Sequence, residues 1–151
     1  MITVRPYEQA DWDSLQEIHD AARKIELHFA GLDAAFLPLT VAAEREDLFD
    51  YHLGVAELDG RVVGFTAFTE EELAWLYVLP EVHRRGVGRA LVAYACTQEP
   101  GICEIEVLEG NTPARTLYES CGFCVRETVH GVMPGNEAFP VTVWCLTNKA
   151  E

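Results

Sequence analysis

The stretch Val78-Leu79-Pro80-Glu81-Val82-His83-Arg84-Arg85-Gly86-Val87-Gly88-Arg89 stands where an apolar run stops and a helical pattern begins. Gly86 and Gly88 allow a tight turn whose N–H groups are unpaired, and a helix N-terminus adds partial positive charge, so such a turn can hold a phosphate or pyrophosphate. Arg84, Arg85 and Arg89 can add charge-assisted hydrogen bonds. Taken alone, the same letters also fit a plain strand-to-helix turn with a solvated basic rim. Two other phosphate-binding patterns fail on their letters. The third small residue of a dinucleotide fingerprint is replaced by the bulky Leu91, and no Gly-Lys-Ser/Thr follows the glycines as a nucleotide-hydrolysing loop requires.

A second constellation is Asn111-x-x-Ala114-x-x-Leu117-Tyr118-x-x-x-Gly122-Phe123. Asn111 precedes a helix start and can hydrogen-bond a ligand amide, and Tyr118 lies about two helical turns further on, on a nearby face. Each alone reads equally well as a turn residue or a core aromatic; in this order after the glycine loop, the two point to a ligand. Two glutamates stand at strand positions. Glu72 closes the run Glu70-Glu71-Glu72 at the entry to a strand, and Glu106 alternates with Glu104 along another. Both read as solvated strand positions. Cys121-Gly122-Phe123-Cys124 forms a C-x-x-C, but its first cysteine falls at a helix C-terminus, where the dipole does not activate a thiol, and no second pair completes a zinc site.

These residues need a scaffold of strands and helices to bring them together. Residues 2–5 read as a short strand, and Asp11 as the N-cap of a helix with Leu15, Ile18, Ala22 and Ile25 on one stripe and a structural His19 beside it. Residues 26–38 show no clean period, and Thr40 is expected to cap a second helix ending near Asp50. Asp59-Gly60 predicts a hairpin between strands over 53–58 and 61–69. A fourth strand over 73–79, a helix from the glycine loop to about Thr97 and a fifth strand over 102–108 make a central βαβ unit with parallel strands. Thr112 as N-cap with Pro113 at the first helical position, and Gly122 after the end, bound a short helix. Strands over 123–130 and 141–146 finish the chain, separated by a loop carrying Gly131, Pro134, Gly135 and Pro140.

With its elements in this order, the chain from about Leu53 to Leu146 resembles the GNAT superfamily of acyl-CoA-dependent N-acetyltransferases. The family's pyrophosphate loop, R/Q-x-x-G-x-G/A, corresponds to His83-Arg84-Arg85-Gly86-Val87-Gly88, with His83 in place of the usual Arg or Gln. The resemblance implies a single α/β domain over residues 1–151: a mixed, mostly antiparallel sheet, helices on both faces, and a splay between the fourth and fifth strands that admits acetyl-CoA. It implies that the main chain of Leu76, Tyr77 and Val78 lines the pantetheine arm, that Arg84, Arg85, Gly86, Val87, Gly88 and Arg89 hold the pyrophosphate, and that Asn111 and Tyr118 match the family's Asn and Tyr. The implied reaction is direct attack of a primary amine, on a small molecule, a peptide N-terminus or a lysine, upon the thioester in a ternary complex without a metal. Its alternative is a CoA-binding regulatory module without turnover. Family members place the general base at the position of Glu72 or at that of Glu106, and both stay open. Tyr118, protonated at pH 7, is the candidate donor to the leaving thiolate. His28, Phe29 and Phe36 fall in the segment that often shapes the family's acceptor pocket, and Tyr77 with Trp75 forms either sheet core or an aromatic wall beside it. Family members occur as monomers and as homodimers.

Composition bounds the same picture. A chain of 151 residues, 49% apolar and 24% charged, suits one packed domain and not a disordered chain. With Lys+Arg 11 against Asp+Glu 25 the net charge is -14, which excludes counterion release as a driving force and makes nucleic acid a poor partner. Five cysteines, an odd number in a chain that needs no covalent staple, suggest reduced thiols. The N-terminus lacks a signal-like apolar stretch and no run approaches the ~20 residues that span a bilayer, so a cytoplasmic protein without membrane partners is expected.

Overall fold

A computed structural model describes residues 1–150. Strand β1 (Ile2–Pro6) leads through a 3₁₀ turn at Gln9–Asp11 directly into α1 (Trp12–Phe29). Asp11 does not cap α1 with its side chain as its position suggested. Its carboxylate instead accepts two hydrogen bonds from the Arg5 guanidinium, at 2.9 Å each, and one from the Glu8 N–H at 2.8 Å, tying β1 to the helix start. Leu15, Ile18, His19 and Leu27 are the buried residues of α1. The expected stripe therefore drifts: Ile25 is exposed, and the helix runs on over 26–29, where an irregular segment was expected, because Leu27 extends the buried face and nothing breaks the chain before Gly31.

Helix α2 (Leu39–Arg45) begins one residue before Thr40 and stops short of Asp50, the remainder forming a 3₁₀ turn at Leu48–Asp50. The cap comes from another element. The first helical N–H, of Leu39, donates to Asp20 Oδ1 on α1 at 2.9 Å, so Thr40 has no orphan group to satisfy.

Strands β2 (His52–Leu58) and β3 (Arg61–Phe68) form the hairpin that Asp59-Gly60 predicts, with positive φ at both turn residues. β4 (Leu73–Val78) completes an antiparallel sheet in the order β1-β2-β3-β4. After α3 (Val87–Gln98), β5 (Glu104–Leu108) joins β6 (Cys124–Met133) and β7 (Asn136–Thr147) in a second sheet ordered β5-β7-β6. The loop expected over 131–140 is a continuation of this last hairpin, turning at Pro134 and Gly135. Pro140 is tolerated because β7 there has only β6 beside it, β5 ending opposite Val143.

The two sheets meet at one parallel bridge, Glu72 to Glu104, reinforced by the N–H groups of Cys103 and Glu104 donating to Glu71 O at 2.8 and 3.1 Å. Beyond it β4 and β5 diverge into separate sheets, the splay that the family resemblance implied. Side chains alternate across β3 and β4. Phe65, Trp75 and Tyr77 face α1, with the His19 ring edge-on to Tyr77 at 5.1 Å between centroids, while Val87 and Leu91 of α3 lie against Gly64 on the opposite face. Helices thus cover both faces, as expected.

One close approach sets the relation of α1 to the second sheet. Gly110, just after β5, has φ +105°, and a Cβ built there would lie 2.4 Å from the Phe29 carbonyl oxygen. Gly110→Ala is therefore expected to lose about 2 kcal/mol or more from strain and clash together, lowering Tm by several degrees in a thermal melt.

Candidate active site

The loop before α3 has the geometry its sequence predicts. Arg84 and Gly86 both have positive φ, +67° and +88°, and Gly86 is the N-cap of α3 without a side-chain partner. Successive turns of this kind point main-chain N–H groups into one concavity, which the helix end makes anion-attracting. A non-glycine residue held in the left-handed region is itself a mark of a shaped loop. Arg84 and Arg85 are exposed and pair with no carboxylate among the described residues, whereas Arg89 reaches across to Ser120 Oγ on α4 (Thr112–Ser120) at 2.8 Å. His83, the departure from the family loop, turns its Nε2 back to Val78 O at 3.2 Å and so braces the loop against β4.

The exposed edge of β4 lies beside that loop. The Leu79 N–H donates to Val63 O on β3, so by antiparallel alternation the main chain of Tyr77 also faces β3, and that of Leu76 and Val78 faces the splay. Of the three residues expected to line a pantetheine arm, Leu76 and Val78 present main-chain groups to the gap, the Val78 carbonyl being partly engaged by His83. Gly88 lies where β4 and α4 converge, its Cβ position 2.8 Å from Leu117 and 3.9 Å from Leu76.

Asn111, and not Thr112, is the N-cap of α4: its Oδ1 accepts from the Ala114 N–H at 3.3 Å, and Pro113 sits one position further in than expected. Tyr118 is buried with Val92, Ile105 and Phe123, and burial, then the negative charge of Glu26, push its phenol well above the ordinary value, so it stays protonated at neutral pH. Cys121 and Cys124 are free thiols, the first at the C-cap of α4.

On the α1 side of the splay lies a cavity of about 280 Å³ whose lining includes Glu72, Glu106, Trp75 and Tyr77. Both expected glutamates are therefore brought to one space. Burial raises the Glu72 carboxyl above its ordinary value, and the charges of Glu106 and Glu104 raise it further. Of the residues expected at the acceptor, Tyr77 lines the cavity and the others do not. His28 points outward to Asp33 at 3.1 Å, Phe29 is exposed at the end of α1, and Phe36 packs on His19 beneath the Lys24 ammonium. In their place α1 and α2 supply Arg23, Glu26 and Glu46. The signal for the first two was present: Arg23 and Glu26 stand four and seven residues after His19, continuing the buried face of an amphipathic helix with charge. Nothing local marks Glu46, which reaches the cavity only because α2 ends there. A wider, shallower groove at Tyr7, Trp12 and Phe49 contains none of these groups.

These features place the chain in a class of protein, and a sequence comparison agrees: residues 49–125 match the acetyltransferase (GNAT) domain, and the chain belongs to that family. Over 70 residues it is 39% identical to peptidyl-lysine N-acetyltransferase YiaC of Escherichia coli strain K12, which covers 46% of this chain and 47% of that one. It thus spans about half the length of that curated relative. The fold is shared with the solution structure of apo YjaB from Escherichia coli (TM-score 0.74, 24% identity, covering 100% of this chain and 99% of that one). It is shared too with YncA of Salmonella typhimurium solved with its cofactor acetyl-CoA (TM-score 0.65, 21% identity, covering 99% and 95%). No helix among the described residues is long and apolar enough to cross a membrane.

Glu46 offers a direct reading of the cavity's electrostatics. Burial, together with Glu137 and Glu26 and against the pull of Arg23, pushes its carboxyl from 4.5 up to about 7. The folded chain then binds this proton more tightly than the unfolded chain between those values, so the group's contribution is whole below the lower one and is lost as pH rises through the upper. Glu46→Gln is expected to raise Tm by a few degrees relative to the parent at pH 8 and by nothing at pH 4, measured as paired thermal melts across that range.

Proposed function

We propose that the protein is an N-acetyltransferase that moves an acetyl group from acetyl-CoA to a primary amine, with a peptide lysine as the acceptor class suggested by its YiaC relative. The observation that carries the reading is the splay itself: an anion-attracting loop and an unpaired β4 edge on one side, and a cavity rich in carboxylates on the other. The donor set fits the co-substrate. Main-chain N–H groups at Arg84 to Gly88 with the free guanidinium groups of Arg84 and Arg85 suit a pyrophosphate, and the Leu76 and Val78 main chain suits the amide arm. Acetyl-CoA supplies an activated thioester carbonyl.

The chain's own groups then manage protons and charge. An amine enters as its ammonium form, and a cavity holding Glu46, Glu72 and Glu106 with a single guanidinium, Arg23, already paired to Glu26, attracts that cation. Glu72 or Glu106 takes the proton that must leave before nitrogen can attack. Glu72 is the stronger candidate because burial raises its basicity toward neutral pH. As the C–N bond forms and the C–S bond breaks, Tyr118 gives its proton to the departing sulfur, the second proton shed by the acylated nitrogen restores the phenol, and the main-chain N–H groups of Leu76 and Val78 steady the carbonyl oxygen. Tyr118 and the β4 edge therefore act on the co-substrate, and the acidic cavity acts on the acceptor.

Calorimetric titration of acetyl-CoA is expected to saturate with the parent and to fail with Gly86→Val, where φ +88° strains any branched side chain although space remains around it. Absence of binding by the folded parent overturns the reading. In a thiol-release assay over an amine panel that includes lysine peptides, Tyr118→Phe is expected to lower kcat roughly 10²-fold, with KM for acetyl-CoA within about twofold. Glu72→Gln should lower kcat more than Glu106→Gln, and the reverse order would move the base to Glu106.

A further inference from the structure

Glu26 belongs to both halves of the site. It stands in the last turns of α1 and its carboxylate lines the acceptor cavity. Oε1 accepts from the Tyr77 hydroxyl at 3.0 Å and from the Arg23 guanidinium, while Oε2 accepts from Asn111 Nδ2 at 3.3 Å. Asn111 therefore has both ends of its amide committed, Oδ1 to the Ala114 N–H and Nδ2 to Glu26. That fixes its orientation. A flipped amide would set a donor against the first N–H groups of α4 and an acceptor against a carboxylate, losing two bonds at once.

One carboxylate consequently holds an aromatic wall of the cavity, the cavity's guanidinium and the cap of the helix that carries Tyr118. The same two elements also meet at Gly110, where the end of α1 packs so closely on the loop that carries Asn111 that no side chain fits against the Phe29 carbonyl. The charge of Glu26 also reaches Tyr118, where it adds to burial in holding the phenol protonated.

We propose that Glu26 is a positioning residue for acyl transfer, acting through Asn111 to set the start of α4 and with it Tyr118, so that the acceptor cavity and the thiol-protonating side are registered to each other by one carboxylate. This rests on the acyltransfer reading above. Glu26→Gln keeps the shape and one oxygen, but its NH2 must face either the Arg23 guanidinium or Asn111 Nδ2, both donors only; setting it against the charged guanidinium costs more, so the contact with Asn111 is the one that fails.

The test is a double-mutant cycle with two readouts. In the thiol-release assay Glu26→Gln is expected to lower kcat at least tenfold with KM for acetyl-CoA within about threefold, and Glu26→Gln with Asn111→Ala should be no slower than Asn111→Ala alone. In heteronuclear NMR of the ligand-free protein, the Asn111 side-chain amide pair, assigned by its loss in Asn111→Ala, should shift and exchange faster in Glu26→Gln. If Glu26→Gln does not fold, Glu26→Asp withdraws the same carboxylate by one methylene and is expected to show the same two effects. Multiplicative losses in the cycle, a parental kcat in a folded Glu26 variant, or unmoved Asn111 amide signals each overturn the proposal. A parent that binds acetyl-CoA but releases no thiol with any amine overturns the acyltransfer reading, and with it a role for Glu26 in transfer, while the amide signals still report whether Glu26 holds Asn111.

Discussion

Strands β4 and β5 run side by side for one parallel bridge, Glu72 to Glu104, and then part. Main-chain N–H and C=O groups left without a strand partner must find another, and buried ones seldom go without. The outward groups of Leu76 and Val78 are in that position, and His83 meets part of the demand at the Val78 carbonyl. A chain of amides lying in the gap would meet the rest. The splay is thus the condition that gives the chain a place for an extended ligand, and the other elements can be understood by how they keep it open. α3 fills the α3-side face of β3 and β4 through Val87 and Leu91, α4 meets the loop at Gly88, and the second sheet stands apart on β7, which pairs with both β5 and β6.

The faces of β4 then divide the chemistry. Leu76 and Val78 side chains turn toward α3 and its anion-attracting start, while Trp75 and Tyr77 turn toward α1 and the carboxylates. A strand can make this division without any further device, because successive residues point to opposite faces. What it cannot do is keep the two faces in register, and that falls to polar contacts across the gap. Arg89 to Ser120 ties α3 to α4, and Glu26 to Asn111 ties α1 to α4. Both are hydrogen bonds to groups that cap or close α4, so this short helix is held from each side.

Much of this could be read from the letters, and the failures have physical reasons. Gly86, Asp59-Gly60 and Gly122 report their own backbone conformations, so the loop, the hairpin and the end of α4 were legible locally. The helix starts were not, because their caps came from elsewhere: Asp20 serves α2 from α1, and the carboxylate of Asp11 is drawn off by Arg5. Placing Thr112 at the cap failed by one residue since Asn111 caps equally well and the tertiary partner Glu26 holds it there. His28 and Phe29 miss the cavity for a related reason. His28 and Phe29 follow the right helix but stand on its outer face, and only the continuation of α1 past Ile25 brings Glu26 inward.

Charge explains why a protein with net charge -14 can be suited to a polyanionic ligand. The field of the whole chain repels phosphates at a distance, but salt screens it within about 10 Å, and the local set decides binding. At the loop that set is Arg84 and Arg85, free of carboxylate partners among the described residues, with the N-terminal N–H groups of α3. In the cavity the local set has the opposite sign, and burial intensifies it, as the raised carboxyls of Glu46 and Glu72 show. Besides burial, Glu72 is raised by the charges of Glu106 and Glu104, and Glu46 by those of Glu137 and Glu26 against the pull of Arg23, a repulsion that an entering ammonium group would relieve. In the proposed reading, some of the stability given up by gathering glutamates in one place is available for binding an amine, and the same gathering raises carboxylate basicity, so recognition and proton removal share a single physical cause.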